Sequence, residues 1–189
     1  MLKRKVDDYL IQWKNNPDRL PLVIKGARQI GKTFSVRNFA KNYKNYIEIN
    51  FITDPQFKTI FKNGYSPESI IKEITLLKPE WEFIPNETLI LFDEIQDYPE
   101  IATSLKSFCI NGKFDVICSG SMLGVNYKKI QSNSVGYKSE YSMQSFDFEE
   151  FLWAKGYGND DIEDLLSHMK SGEPFNQTTL SVFNELFLD

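Results

Sequence analysis

Residues 20–40 read Leu20-Pro21-Leu22-Val23-Ile24-Lys25-Gly26-Ala27-Arg28-Gln29-Ile30-Gly31-Lys32-Thr33-Phe34-Ser35-Val36-Arg37-Asn38-Phe39-Ala40. Within them, Gly26 to Thr33 fits the pattern G-x-x-x-x-G-K-[ST] at every fixed position. A bare match is weak, so its surroundings decide. Leu20 to Ile24 is a short, apolar, partly β-branched run that predicts a buried strand, and Thr33 to Ala40 predicts a helix. Strand, loop and helix are the context the pattern needs.

The chemistry follows from the spacing. Gly26 and Gly31 let the backbone bend where a Cβ would clash, so successive N–H groups turn inward as an anion nest. The helix that follows aims its positive end at the same point. Lys32 supplies a point charge for terminal phosphates, and the Thr33 hydroxyl suits Mg²⁺. The predicted phosphate-contacting set is Gly26, Ala27, Arg28, Gln29, Ile30, Gly31, Lys32, Thr33 and Phe34.

A second stretch complements the first. Thr88-Leu89-Ile90-Leu91-Phe92-Asp93-Glu94 carries four apolar residues in a row and then two acids. Such a run predicts a strand buried on both faces, as in a parallel sheet. Placed beside the first strand, it would bring Asp93 to the carboxyl edge of the sheet, where ligands of such sheets bind. Asp93 is then a metal-holding candidate together with Thr33. Glu94 is the candidate to orient and deprotonate an attacking water.

Working outward, residues 4–15 predict an amphipathic helix with Val6, Leu10 and Trp13 on one face. It either packs on the sheet or walls a nucleotide base. Tyr46 to Phe51 alternates as a strand, and Gln56 to Lys62 predicts a short helix. Ser66-Pro67-Glu68-Ser69 opens a helix to about Lys78, with Ile70, Ile71, Ile74 and Leu77 as its apolar stripe. Another helix runs from Tyr98 to Asn111-Gly112. Phe114 to Ser121 is a strand ending in Ser119-Gly120-Ser121, whose serines are candidates to sense a terminal phosphate or its water. Residues 122–137, with Lys128 and Lys129, predict a surface loop. Lys138 to Phe146 predicts a last strand and Asp147 to Trp153 a short helix with its carboxylates in solvent. Asn159-Asp160 caps a helix through Met169, and a final helix covers residues 176–188.

The totals bound the function. The chain has 189 residues, 41% of them apolar, with net charge −4. That suits one domain, or one domain plus an appendage, with a real core, and its charge argues against a general nucleic-acid-coating role. Lys41, Lys44, Lys128 and Lys129 are too sparse to support a nucleic-acid surface. The two cysteines, Cys109 and Cys118, and the single His168 make no zinc pattern. No stretch approaches the roughly 20 apolar residues of a membrane span, so the expected location is cytoplasmic and reduced. Leu180, Phe183, Leu186, Phe187 and Leu188 stay apolar to the end, which predicts the front part of a longer protein.

Taken together, the chain resembles a group of bacterial and archaeal AAA-type P-loop ATPases. The resemblance lies in Arg4-Lys5 and Trp13-Lys14, in Pro21 to Thr33 (P-L-V-I-x-G-A-R-Q-x-G-K-T), in Leu89 to Gln96 (the F-D-E-I-Q strand, or Walker B), in Ser119-Gly120-Ser121, and in Phe148 to Ala154. It implies a three-layer α/β P-loop NTPase fold, AAA-like, with a mostly parallel five-stranded sheet and the Asp93 strand next but one to the loop strand. It also implies binding of Mg²⁺-ATP, hydrolysis to ADP and phosphate, and a C-terminal domain of unknown function. The expected organisation is an ATPase core over 1–155, its first 19 residues the N-terminal helix. Residues 156–189 would begin a further region. A protein partner or that missing domain is expected, and no membrane.

One departure bears on rate. The four arginines, Arg4, Arg19, Arg28 and Arg37, all lie early, so no late arginine is offered to a neighbouring active site. Lys128, Lys129 or Lys138 would substitute poorly because lysine lacks the planar fork, and Arg28 is left to act on phosphate in cis. A missing finger costs on the order of 10³ to 10⁵ in rate, so slow turnover is expected. A switch or small motor driven by ATP is the first reading, with Lys32, Glu94, Ser119 and Ser121 as its working residues. A nucleotide-dependent interaction module with little hydrolysis is the second, and a small-molecule kinase the third. No N-K-x-D guanine motif and no L-S-G-G-Q signature is present.

Overall fold

The six residues of strand β3 (Thr88–Asp93) are all buried, and their side chains divide by parity. Leu89 and Leu91 enter one apolar cluster, Ile90 and Phe92 the other. That is what period-2 alternation requires of a strand covered on both faces. The computed structural model describes residues 2–121 and 134–188. The expected loop residues Lys128 and Lys129 lie outside them.

The chain forms two compact units, one of residues 4–145 and one of residues 1–3 with 146–189. In the larger unit the sheet has five strands, the others being β1 (Leu22–Gly26), β2 (Asn45–Asn50), β4 (Asp115–Ser121) and β5 (Ser139–Ser142). Their order is β2-β3-β4-β1-β5, and every pairing is parallel. β3 therefore does not lie directly beside β1. β4 separates them, as the family resemblance implies.

One face of the sheet is covered by α1 (Lys5–Asn15) and α2 (Lys32–Phe39), which bring Val6, Leu10, Trp13, Val36 and Phe39 onto Leu22, Ile24 and Ile117. Packing is thus the role of the apolar stripe of α1. The other face carries α3 (Pro67–Leu77) and α4 (Ile101–Asn111), with Ile70, Ile74, Leu105 and Phe108 against Val23, Ile49 and Val116. Phe57, Ile60 and Phe61, from the 3₁₀ segment Pro55–Phe61, complete that core.

Local chemistry sets the boundaries. The Ser66 hydroxyl accepts from the Ser69 N–H at 3.2 Å, with Pro67 at the first helical position. The predicted stripe of α3 is narrower than its sequence suggests: Ile70 and Ile74 are buried, Ile71 is half-buried and Leu77 is exposed. α4 ends on Gly112 at φ +64°, a left-handed closure that suits glycine.

In the smaller unit, α5 (Phe148–Lys155), α6 (Asn159–Ser171) and α7 (Gln177–Leu188) follow one another, and Leu152, Ile162 and Leu165 make a small core. Of the carboxylates at the start of α5, expected in solvent, Glu150 is instead turned inward. Asp147 accepts from the Glu150 N–H at 2.9 Å while Glu150 accepts from the Asp147 N–H at 3.2 Å, and Glu150 is 4% exposed. This reciprocal cap satisfies two helix-end donors at once. The cap of α6 is Gly158 rather than Asn159: the Asp161 carboxylate reaches back to the Gly158 N–H at 2.8 Å.

Candidate functional site

Parallel pairing puts the carboxyl ends of four strands at one edge, and register aligns what they carry. Asn50 of β2 lies opposite Asp93 of β3, and Gly26 of β1 lies opposite Ser121 of β4. The loop Gly26–Gly31 leaves this edge and enters α2.

The loop backbone is shaped by contacts no larger residue would permit. A Cβ on Gly26 would come within 2.4 Å of the Met143 carbonyl oxygen. Gln29 and Gly31 are left-handed, at φ +63° and +95°. Arg4 fastens the loop from outside, its Nη1 donating to the Ile30 carbonyl at 2.9 Å and its Nη2 to the Gln144 carbonyl at 3.0 Å. At the start of α2, Gly31 supplies no side-chain cap and the first turn has no acid. The helix's own first turn therefore carries no acid to offset its positive end.

Lys32 is 8% exposed and donates to the Gly26 carbonyl at 3.1 Å and the Ala27 carbonyl at 2.5 Å. Desolvation pulls its pKa below the ordinary lysine value, against the opposing pull of Glu94 and Asp93, while Arg28 adds to the lowering. An anion beside it would offset that desolvation.

Asp93 is 3% exposed and is the hub of the site. Its Oδ2 accepts from Thr33 Oγ1 at 3.0 Å and from Asn50 Nδ2 at 3.1 Å. Its Oδ1 accepts from the Glu94 N–H at 3.0 Å and from the Ser119 hydroxyl. Four donors thus hold one carboxylate in place. Glu94 stands next to it in a left-handed conformation, φ +55°, which turns the chain sharply off the end of β3. Its carboxylate accepts from Gln96 Nε2, and Gln96 Oε1 in turn accepts from the Ser121 N–H at 3.0 Å.

The structure therefore brings Gly26, Gly31, Lys32, Thr33, Asp93, Glu94, Ser119 and Ser121 to one edge. Ala27, Arg28 and Gln29 are exposed along the loop, and Ile30 packs partly on the core. Phe34, 60% exposed, lies outside the core. Asn50, Gln96 and Arg4 were not among the expected site residues. Asn50 had only a partial signal, a polar residue near the end of an alternating strand, and it meets Asp93 through the β2–β3 register. Gln96 and Arg4 had none beyond their place in the family motifs.

Nucleotide and metal fit these residues. The Gly26 cradle, the buried Lys32 amine and the uncapped helix end suit a polyphosphate. Among the described residues no group of three or more His, Cys, Asp or Glu could hold a metal by itself. One carboxylate and one hydroxyl, Asp93 and Thr33, suit Mg²⁺, which takes few protein ligands and completes its shell with water and phosphate.

Sheet order and site define a P-loop nucleotide-binding fold of AAA type. A family model described as an AAA domain matches residues 18–152, and the chain belongs to that family of P-loop ATPases. Among solved structures, the chain is similar to the Walker-type ATPase PABY2304 of Pyrococcus abyssi, with TM-score 0.51 and 16% identity over 88% of this chain and 63% of that one. It is also similar to Hsp104, solved in a closed state with ATPγS and FITC-casein, with TM-score 0.50 and 14% identity over 79% of this chain and 28% of that one. At such identities the likeness is one of fold. The chain spans less than two thirds of the length of either structure. No curated protein matches it in sequence. No helix among the described residues is long and apolar enough to cross a membrane.

Proposed function

We propose that the chain binds Mg²⁺-ATP and hydrolyses it slowly to ADP and phosphate, as a switch or small motor in the cytoplasm. The observation that carries this reading is the convergence of Thr33 and Lys32, from the loop, with Asp93 and Glu94, from the end of β3. The backbone nest from Gly26 to Gly31 and the Lys32 amine would hold the phosphates, and Phe34 lies one residue past Thr33. Thr33 and Asp93 would hold Mg²⁺, which when bound neutralises charge developing on phosphate oxygens. Glu94 would orient a water and take its proton, and Ser119 and Ser121 would report the terminal phosphate to the rest of the sheet. Phosphate release from Mg²⁺-ATP by the purified chain tests this, with Lys32→Ala as the control that loses nucleotide. Turnover of several per second by the chain alone would refute the slow rate.

A second reading, a nucleotide-dependent interaction module with little hydrolysis, draws on where the cations sit. Arg19 pairs with Asp115 at 2.7 Å and Arg37 with Glu48 at 2.6 Å. The Lys138 side chain is 5% exposed and bound to Glu140 at 2.9 Å, so its amine is not presented to a neighbour. Binding of Mg²⁺-ATP without phosphate release would favour this reading.

A further inference from the structure

Glu94 directly follows β3 and begins a tight turn, so its side chain has no regular structure to fix its direction. Among the described residues its carboxylate receives one side-chain hydrogen bond, from Gln96 two positions on. Gln96 is itself held at its other end. Its Oε1 takes the backbone N–H of Ser121, the last residue of β4, at 3.0 Å. Its Nε2 has a longer second acceptor in Asp97 Oδ2 at 3.3 Å.

Chemistry fixes which way the amide faces. A backbone N–H only donates and a carboxylate only accepts, so the oxygen must meet Ser121 and the nitrogen must meet Glu94. One side chain thus spans from the central strand to its neighbour and ends on the proposed base. The neighbouring strand is shaped to receive it. A Cβ on Gly120 would lie 2.6 Å from Gln96 Oε1 and 3.1 Å from Ile95 Cγ1. The three residues Ser119, Gly120 and Ser121 therefore have separate tasks. Ser119 donates to Asp93, Gly120 leaves room for the Gln96 amide, and Ser121 anchors it.

We propose that Gln96 is a positioning residue that aims the Glu94 carboxylate by tying it to the end of β4. This rests on the reading of Glu94 as the base for ATP hydrolysis. An unanchored glutamate on a turn samples several rotamers, and misplacing a reacting group by about 1 Å costs on the order of 100-fold. The side-chain bonds described for Gln96 go to Glu94, Asp97 and Ser121, the first of them the proposed base, so its loss should act on turnover and leave nucleotide affinity alone.

The test compares kcat and KM for Mg²⁺-ATP in the full chain carrying Gln96→Met, Gln96→Glu, Glu94→Gln, and Gln96→Met with Glu94→Gln. Gln96→Met removes both ends of the bridge. Gln96→Glu keeps the acceptor for Ser121 and removes the donor to Glu94. The expected result is a kcat about 10 to 100-fold lower in both Gln96 variants, with KM within about twofold of wild type, and no further loss when Gln96→Met is added to Glu94→Gln. If Glu94→Gln stops turnover while both Gln96 variants turn over like wild type, the positioning role is overturned and the ATPase reading stands. A loss in Gln96→Met that Gln96→Glu restores would assign Gln96 to holding β4 alone, which also overturns it. If Glu94→Gln turns over like wild type, the base assignment fails, and this inference fails with it.

Discussion

The Thr33 hydroxyl donates to the Asp93 carboxylate at 3.0 Å, joining residues sixty positions apart in the chain. That bond links the end of the phosphate loop to the end of the central strand. It exists because β3 is buried on both faces, which fixes its register, and because β4 carries it to the right distance from β1. Asp93 reaches it already held by Asn50, Ser119 and the Glu94 N–H.

Asp93→Asn should therefore have two separable effects. Whichever way the new amide faces, its N–H₂ meets an N–H that can only donate, from Asn50 or from Glu94, and leaves that donor unmatched. Stability should fall by about 1 to 3 kcal/mol, read by urea denaturation without nucleotide. The Mg²⁺ dependence of ATP affinity should also vanish, read by titration with and without the metal.

The left-handed conformation of Glu94 makes a different prediction. A non-glycine residue held at φ +55° costs on the order of 1 kcal/mol, which glycine does not incur. Glu94→Gly should raise the denaturation midpoint while abolishing turnover. Glu94→Ala should abolish turnover with no such gain, since its Cβ keeps the strain. Equal midpoints for the two variants would refute a strained turn at Glu94.

Gly120 offers a test from the opposite strand. Gly120→Ala places a methyl 2.6 Å from Gln96 Oε1 and 3.1 Å from Ile95 Cγ1. The flexible amide is the group that gives way. The variant should fold, bind Mg²⁺-ATP as wild type does, and lose turnover to the same extent as Gln96→Met. Wild-type turnover in Gly120→Ala would show that the Gln96 amide does not need that space.

Two paired carboxyls, Glu48 and Glu140, make stability fall in acid. Burial pushes the Glu48 carboxyl up, but hydrogen bonds from Arg37 and Tyr46 outweigh it and hold it below the ordinary value of 4.5. Burial likewise opposes Lys25 and Lys138 at Glu140, and the lysines win. A carboxyl lowered in the folded state contributes stability that is full above its unfolded pKa and lost as pH falls through its folded one. The stability gap between wild type and Glu48→Gln should be constant from pH 7 down to about 5 and shrink below 4.5. A gap that widens on acidification would contradict that sign.

Much of this arrangement was legible in the residues. The Gly26 to Thr33 spacing and the unbroken run Leu89 to Phe92 announce themselves, because a phosphate cradle and a doubly covered strand each demand a fixed pattern. The insertion of β4 between β1 and β3 has no local signature and came from family resemblance. Asn50 and Gln96 were missed for a related reason. Asn50 reaches Asp93 only through the β2–β3 register, and Gln96 reaches Glu94 only because the chain reverses at a positive φ. The acids at the start of α5 read as solvated, and the Asp147–Glu150 cap turned one of them inward.

Mg²⁺-ATP affinity and phosphate release, measured together for wild type, Lys32→Ala and Glu94→Gln, decide whether this edge of the sheet is an ATPase site. Wild type should bind and turn over slowly, Lys32→Ala should lose binding, and Glu94→Gln should bind as wild type does but release no phosphate. Undiminished binding by Lys32→Ala, or undiminished release by Glu94→Gln, would contradict that assignment.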